Sequence, residues 1–109
     1  IALSEKGNYK SAIQQYRKAL ELNPYLYLVH NRLGILLNRE GNVSNAISHY
    51  QEAITLYPNF AKAHNNLGTA FAGQGRFKEA IKSFEKAIDI NPNYTDARNN
   101  LELARSLLK

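Results

Sequence analysis

The chain has 109 residues, of which 44% are hydrophobic and 21% are charged, and this balance indicates one small folded domain that is soluble in water. It contains no cysteine and no apolar run of about 18 residues, which excludes disulfides, thiolate metal sites and a membrane-spanning helix. The formal net charge is +5, but Lys and Arg are dispersed without a block of five, so we expect no nucleic-acid partner.

The beginning of the chain carries no targeting signal. It starts at Ile1, the sequence contains no Met, and no basic segment followed by an apolar one resembles a signal peptide. We therefore expect a piece of a longer protein. The compartment is left open, with the cytoplasm as the default.

One spacing organises the whole sequence. Pro24, Pro58 and Pro92 are separated by 34 residues each time. Further columns keep the same register: Gly7, Gly41 and Gly75; Ala12, Ala46 and Ala80; Tyr16, Tyr50 and Phe84; Ala19, Ala53 and Ala87; His30 and His64; Leu33 and Leu67; Gly34 and Gly68. A period of this length predicts stacked helix–turn–helix units, which is an all-α solenoid.

The register also predicts the elements in chain order. Residues 1–26 form a partial repeat, in which the tail of one helix turns at Gly7 into a complete second helix. Residues 27–60 and 61–94 form complete repeats, each a pair of antiparallel helices that turn at the recurrent glycine. Residues 95–109 match the first helix of a further repeat.

This last element departs from the earlier first helices in two columns. Glu102 stands where Gly34 and Gly68 stood, and Arg105 stands where Leu37 stood. A polar outer face is what a terminal helix of a repeat array needs to be soluble. We therefore predict that residues 95–109 are a capping helix.

Small and bulky residues alternate between the two helices of a unit. Glycine inside a helix costs about 1 kcal/mol relative to alanine, so Gly34 and Gly68 predict a partner helix packed against bare backbone. The recurrent alanines predict the same close approach. The bulky column Tyr16, Tyr50 and Phe84 is predicted to fill the space between neighbouring units.

These columns resemble the tetratricopeptide repeat, whose pattern combines Trp, Leu, Gly and Tyr in the first helix with Ala, Phe, Ala and Pro in the second. One copy reads His30, Leu33, Gly34, Leu37, Ala46, Tyr50, Ala53 and Pro58, and the next reads His64, Leu67, Gly68, Phe71, Ala80, Phe84, Ala87 and Pro92. The Trp column departs from the pattern, since both copies carry His there. The resemblance covers essentially the whole chain. It implies a right-handed superhelix whose first helices line a concave groove where ligands bind.

The resemblance further implies which columns point into the groove. The predicted ligand-binding residues are Asn31, Arg32, Ile35, Arg39, Lys62, Asn65, Asn66, Thr69, Asn99 and Asn100. Asparagine is a poor helix-interior residue, so propensity does not explain its recurrence. A carboxamide has one acceptor and two donors, which match one peptide unit of an extended chain. We predict that the asparagine row holds a peptide backbone; the alternative is that it hydrogen-bonds neighbouring helices or water.

The cations Arg32, Arg39 and Lys62 add positive charge to the predicted groove. They favour an acidic peptide or a C-terminal carboxylate as the ligand, unless they are ordinary solvated charges.

Two known binding modes were compared with this pattern. The asparagine row is similar to the superhelix of O-linked N-acetylglucosamine transferases, where inward asparagines grip substrate chains; Asn66 and Asn100 match, but Arg32 breaks the row. The carboxylate clamp for chaperone C-termini requires Lys and Asn, then Asn, then Lys and Arg from successive repeats. If the clamp starts at the partial repeat, only Lys62 fits, and if it starts one repeat later, only Asn66 fits. We therefore do not expect a clamp.

Nothing in the sequence indicates catalysis. His30, His49 and His64 are far apart in sequence, no acid or Cys stands at ligand spacing from them, and no nucleophile motif surrounds a serine. We expect no enzyme activity, no cofactor and no metal. His30 and His64 are predicted to be half-buried packing residues.

The predicted function is a protein–protein interaction scaffold that binds a peptide or a partner segment in the concave groove. One alternative is self-association through the exposed N-terminal end, which the truncated repeat should make adhesive, or through the convex face. A second alternative is a substrate-recognition module of a glycosyltransferase-like enzyme.

Overall fold

The computed structural model describes the backbone of residues 2–108 and the side chains of residues 9–108, so the predicted boundaries at Ile1 and Lys109 lie outside the described residues. Within this range the chain forms six α-helices and no strand: α1 Ala2–Leu22, α2 Tyr27–Arg39, α3 Val43–Leu56, α4 Ala61–Gly73, α5 Phe77–Ile90 and α6 Thr95–Leu108. Loops of three or four residues join the helices, and such short loops make consecutive helices antiparallel. The predicted all-α fold is confirmed.

Recurrent glycines end the first helix of each complete pair. Gly41 and Gly75 have φ angles of 85° and 75°, in the left-handed region that glycine adopts without strain. After α2, the backbone N–H of Asn42 donates to the carbonyl oxygen of Leu37 at 2.8 Å, which closes the hydrogen-bonded C-terminal turn that this conformation permits. The loop between α4 and α5 repeats the arrangement. The two turns are thus set by the glycine column.

The turn predicted at Gly7 is wrong, because α1 runs through this residue as one helix of 21 residues. The glycines at the other two turns each follow a helix of 13 residues that packs back on the next helix. A single glycine inside a helix costs only about 1 kcal/mol relative to alanine. The backbone therefore continues helically through Gly7.

The helices of a pair approach closely at the glycines inside α2 and α4. A Cβ atom on Gly34 would lie 2.6 Å from Cε1 of Tyr50, and one on Gly68 would lie 2.5 Å from Cε1 of Phe84. The predicted packing of a partner helix on bare backbone is confirmed. The aromatic rings therefore press on the glycine of their own unit, and Phe84 also borders Ala104 of α6 at the junction with the next unit.

Buried alanines provide the remaining close contacts. Ala46, Ala53, Ala80 and Ala87 of α3 and α5 are fully buried, as the register predicts. One core cluster extends from Ile13 of α1 to Ala104 of α6. Each large apolar side chain in this cluster contributes about 1.5–3 kcal/mol through burial, so neighbouring pairs stabilise one another.

The glycine–aromatic contact predicts opposite effects for two glycine substitutions in α4. Gly68→Ala should lower the free energy of unfolding by about 1–3 kcal/mol, because the added methyl group overlaps the Phe84 ring. Gly73→Ala should raise it by up to about 1 kcal/mol, because the site is open and alanine is the better helix former. Urea denaturation measures both values. Equal stability of the two variants would show that the contact is not tight.

Candidate functional site

Side chains in one column of the repeat link each first helix by a hydrogen bond to the loop that precedes it. Each member donates a hydrogen bond to the carbonyl oxygen of the preceding proline. The pairs are His30 Nε2 with Pro24 at 2.9 Å, His64 Nε2 with Pro58 at 2.9 Å and Arg98 Nε with Pro92 at 2.7 Å. Both histidines are buried, at 7% and 8% exposure, which confirms the predicted packing role and shows that they lie deeper than expected.

The structure brings His30 and His49 together, a contact that the sequence analysis missed. Their Nδ1 atoms are 3.0 Å apart and their rings stack with centroids 5.3 Å apart. Because Nε2 of His30 donates to Pro24, we assign the lone pair to its Nδ1, which accepts the Nδ1–H of His49. His30 and His49 lie at similar distances in sequence from the turn at Gly41, and the difference is less than one helical turn. Residues at similar distances from a turn lie opposite each other in an antiparallel helix pair, so this spacing could have indicated the contact.

The surroundings of His49 oppose its protonation. Burial, followed by the nearby His30 and Arg17, holds the pKa of His49 below its ordinary value of 6.5, and Glu52 opposes this shift. Burial also lowers the pKa of His64, against the effect of its bond to Pro58. Across the described residues, no cluster of three or more His, Cys, Asp or Glu side chains could hold a metal ion.

Asparagines of consecutive first helices pair with one another. Nδ2 of Asn66 donates to Oδ1 of Asn31 at 3.0 Å, and Nδ2 of Asn100 donates to Oδ1 of Asn65 at 3.1 Å. Asn65 also donates to the hydroxyl oxygen of Tyr94 at 3.4 Å. Within the protein, these asparagines therefore hydrogen-bond neighbouring helices, which is the alternative considered above.

The two members of each asparagine pair differ in burial. Asn31 and Asn65 are buried, at 6% and 7% exposure, whereas Asn66 and Asn100 are half-buried. Each half-buried amide uses one N–H in its pair, and within residues 9–108 its oxygen accepts no protein hydrogen bond. The free oxygens and the second N–H groups remain able to bond a ligand. That they do so stays a prediction.

The first helices lie side by side, since α2 contacts α4 and α4 contacts α6. We call the surface that they line the groove. The other predicted members are exposed, except for the half-buried Ile35: Arg32, Arg39, Lys62, Thr69 and Asn99.

Two of these exposed residues contact the protein itself. The Arg39 guanidinium donates to the hydroxyl oxygen of Tyr9 at 3.2 Å and lies over its ring. The hydroxyl of Thr69 donates to the Asn65 carbonyl oxygen at 3.0 Å.

A half-open cavity lies at the α6 end of the groove, and two predicted site residues, Thr69 and Asn100, are among its lining residues. Its volume is about 110 Å³, and its lining residues are Thr69, Ala72, Phe84, Asn100, Leu103, Ala104 and Leu107. Leu103 and Leu107 are 59% and 53% exposed. They occupy the columns of Thr69 and of Arg39, so the register places them in the groove even though the predicted set omitted them. We call this feature the leucine cavity.

The outer side of α6 carries the two polar residues on which the capping assignment depends. Glu102 and Arg105 are exposed, and Arg105 pairs with Glu85 of α5 at 3.3 Å. Exposed leucines elsewhere on α6 show that this helix is not polar on all sides. The role of α6 as a terminal cap stays a prediction.

Every helix in the described part of the chain is too short or too polar to traverse a bilayer.

The asparagine pairs predict a measurable coupling. Asn65→Ala should lower the free energy of unfolding by about 1–3 kcal/mol, because it leaves the partly buried amide of Asn100 without its acceptor. Asn99→Ala, an exposed member of the same column, should change it by less than about 0.5 kcal/mol. A double-mutant cycle with Asn100→Ala isolates the pair. A coupling energy of zero would contradict the hydrogen bond.

The histidine pair predicts that acid destabilises the fold. His49 has a lower pKa in the folded chain than in the unfolded chain, where it is near 6.5. The unfolded state therefore binds more protons once the pH drops below this value, and stability falls. We expect the melting temperature to decrease between about pH 7.5 and about pH 5, and His49→Gln to reduce this decrease. His64 contributes in the same direction, so part of it should persist. An unchanged pH profile in His49→Gln would refute the assignment.

Comparison with known proteins agrees with the stacked helix pairs. A sequence profile described as "Tetratricopeptide repeat" matches residues 61–94, and one described as "TPR repeat" matches residues 2–41 and 36–75. A search of curated protein sequences returned no significant match.

Two solved structures share the fold. The first TPR of Spaghetti (RPAP3), bound to the HSP90 peptide SRMEEVD, superimposes with a TM-score of 0.91 and 26% sequence identity, covering 95% of this chain and 82% of that one. The Sgt2 TPR domain from Aspergillus fumigatus superimposes with a TM-score of 0.89 and 23% identity, covering 98% and 72%. The profiles together span most of the sequence, and the helix pairs repeat with the same period. The chain belongs to the tetratricopeptide repeat family.

Proposed function

We propose that the chain is a protein–protein interaction scaffold that binds an extended peptide segment of a partner protein in the groove. The observation that carries this proposal is the pair of half-buried amides, Asn66 and Asn100, each oriented by a buried asparagine of the preceding unit. An amide that is held in place loses little further freedom when a ligand binds, which favours affinity.

The spacing of these amides suits a peptide backbone. They lie on adjacent helices in the same column, and each retains one acceptor and one donor. A peptide laid across the groove presents its own N–H and C=O groups repeatedly. Recognition of these groups does not depend on the peptide's side chains, which suits an interaction scaffold.

The likeness to the RPAP3 domain supports a peptide as the ligand, because that domain is bound to a peptide. The carboxylate clamp is not supported for this chain, since Asp96 stands in α6 in the column where Lys62 stands in α4. We infer that the bound segment is not held through its terminal carboxylate.

Self-association is a second candidate with an observation of its own. Exposed apolar side chains cluster around the loop between α1 and α2: Leu22, Tyr25, Leu26 and Leu28. An apolar patch of this kind favours association. Light scattering at high protein concentration tests it, and a monomer throughout would count against it. The glycosyltransferase-like module receives no additional support, since Arg32 interrupts the asparagine row.

Peptide binding through the asparagines has a direct test. Asn66→Ala combined with Asn100→Ala should weaken the best ligand of a peptide array at least tenfold, or by about 1.4 kcal/mol. Lys82→Ala on the exposed surface of α5 is the matched control and should bind as the unmodified chain does. Circular dichroism confirms that the variants are folded at the assay temperature. Unchanged affinity in the double variant would remove the basis of the proposal.

A further inference from the structure

The groove differs chemically from one end to the other. At the α6 end the leucine cavity is bounded by Leu103, Leu107 and Ala72, with the Phe84 ring among its lining residues. Scattered apolar residues on a surface need no explanation. These two leucines, however, border the same concavity and stand beside the amide of Asn100. An apolar concavity with a convergent polar group is the usual form of a binding subsite.

The side of the groove toward α2 is cationic. Arg32 of α2 and Lys62 of α4 are exposed. The ion pairs among residues 9–108 join Arg76 to Glu79 and Arg105 to Glu85, so neither groove cation takes part. The corresponding column of α6 carries Asp96 instead of a cation. The positive potential is therefore concentrated on α2 and α4 and favours acidic groups there.

From these two features we propose that the groove selects an internal peptide segment with one aliphatic side chain in the leucine cavity and acidic residues on the side that crosses α4 toward α2. This inference rests on the proposed function and specifies its ligand. A cavity of about 110 Å³ is smaller than the roughly 150 Å³ that accommodates benzene. It suits Val, Leu or Ile better than the larger Trp.

The distance between the two features fixes the spacing of the peptide residues. Packed helices lie about 8–10 Å apart, so the cavity between α4 and α6 is roughly 12–15 Å from α2. An extended chain advances about 3.3 Å per residue. The acidic residue that faces Arg32 should therefore stand three to five positions from the aliphatic one, and Lys62 on α4 favours acidic residues between them.

A positional-scanning library of 12-residue peptides, with both ends blocked, tests the preference. We expect enrichment of Val, Leu or Ile at one position and of Asp or Glu about four positions away. A library without any binder would overturn the proposed function and this inference with it. Binders that lack either preference would overturn this inference alone.

A double-mutant cycle across the interface locates the aliphatic residue. Leu103→Gln with Leu107→Gln should weaken the selected peptide at least tenfold, and replacing the peptide's aliphatic residue by Ser should then cost nothing further. Leu108→Gln, which changes an exposed leucine of α6 that does not line the cavity, is the matched control. If the Ser replacement lowers the affinity equally for the unmodified chain and for the double leucine variant, the aliphatic residue binds elsewhere.

Charge and oligomeric state complete the test. Arg32→Gln should lower the affinity for acidic peptides and the salt dependence of binding, whereas Lys82→Gln on α5 should change neither. Equal effects of these two substitutions would overturn the acidic part of the proposal. Sedimentation measures whether a second copy occupies the cavity, and a dimer that Leu103→Gln with Leu107→Gln dissociates would replace the peptide as its occupant.

Discussion

In each complete repeat, the contact between a glycine of the first helix and an aromatic ring of the second determines how the rest of the structure is arranged. At Gly34 and Gly68 the missing side chain allows the rings of Tyr50 and Phe84 to reach the helix backbone. This brings the two helices of a unit close together, so that alanines suffice to fill the remaining space. The opposite side of each first helix is then free to form the groove.

The two adjacent asparagine columns have different roles in the groove. In the buried column, the side-chain oxygens of Asn31 and Asn65 accept hydrogen bonds from the half-buried column, which retains bonding capacity. A buried amide without a partner would be costly, so the pairing both stabilises the stack and orients the exposed amides. Stability and recognition are linked through the same hydrogen bonds.

The sequence predicted the fold because a 34-residue period constrains many columns at once. It predicted the packing role of His30 and His64, though not the depth of their burial, and the close approach at Gly34 and Gly68 for the same reason. It failed at Gly7, where the backbone stays helical, since the conformational freedom of glycine alone does not make a turn.

The site was less predictable than the fold. Column assignment indicated which residues face the groove, but it did not show that Asn31 and Asn65 lie buried behind Asn66 and Asn100. The pairing of His30 with His49 depends on the rotation of two helices about their axes, which the period does not specify. The leucine cavity arises from three helices together, and no single column reveals it. Such features require the distances between elements, whereas the fold required only the register.

The histidine pair occurs only once in the array, because Ser83 takes the place of His49 in the following unit. Units in a stack of this kind interact with their nearest neighbours alone. Acid therefore acts on the contact between α2 and α3 through His49 and on α4 through His64, whereas α6, which carries both leucines of the cavity, contains no histidine. The array should loosen unevenly in acid, and a bound segment should lose its contacts with α2 before those with α6.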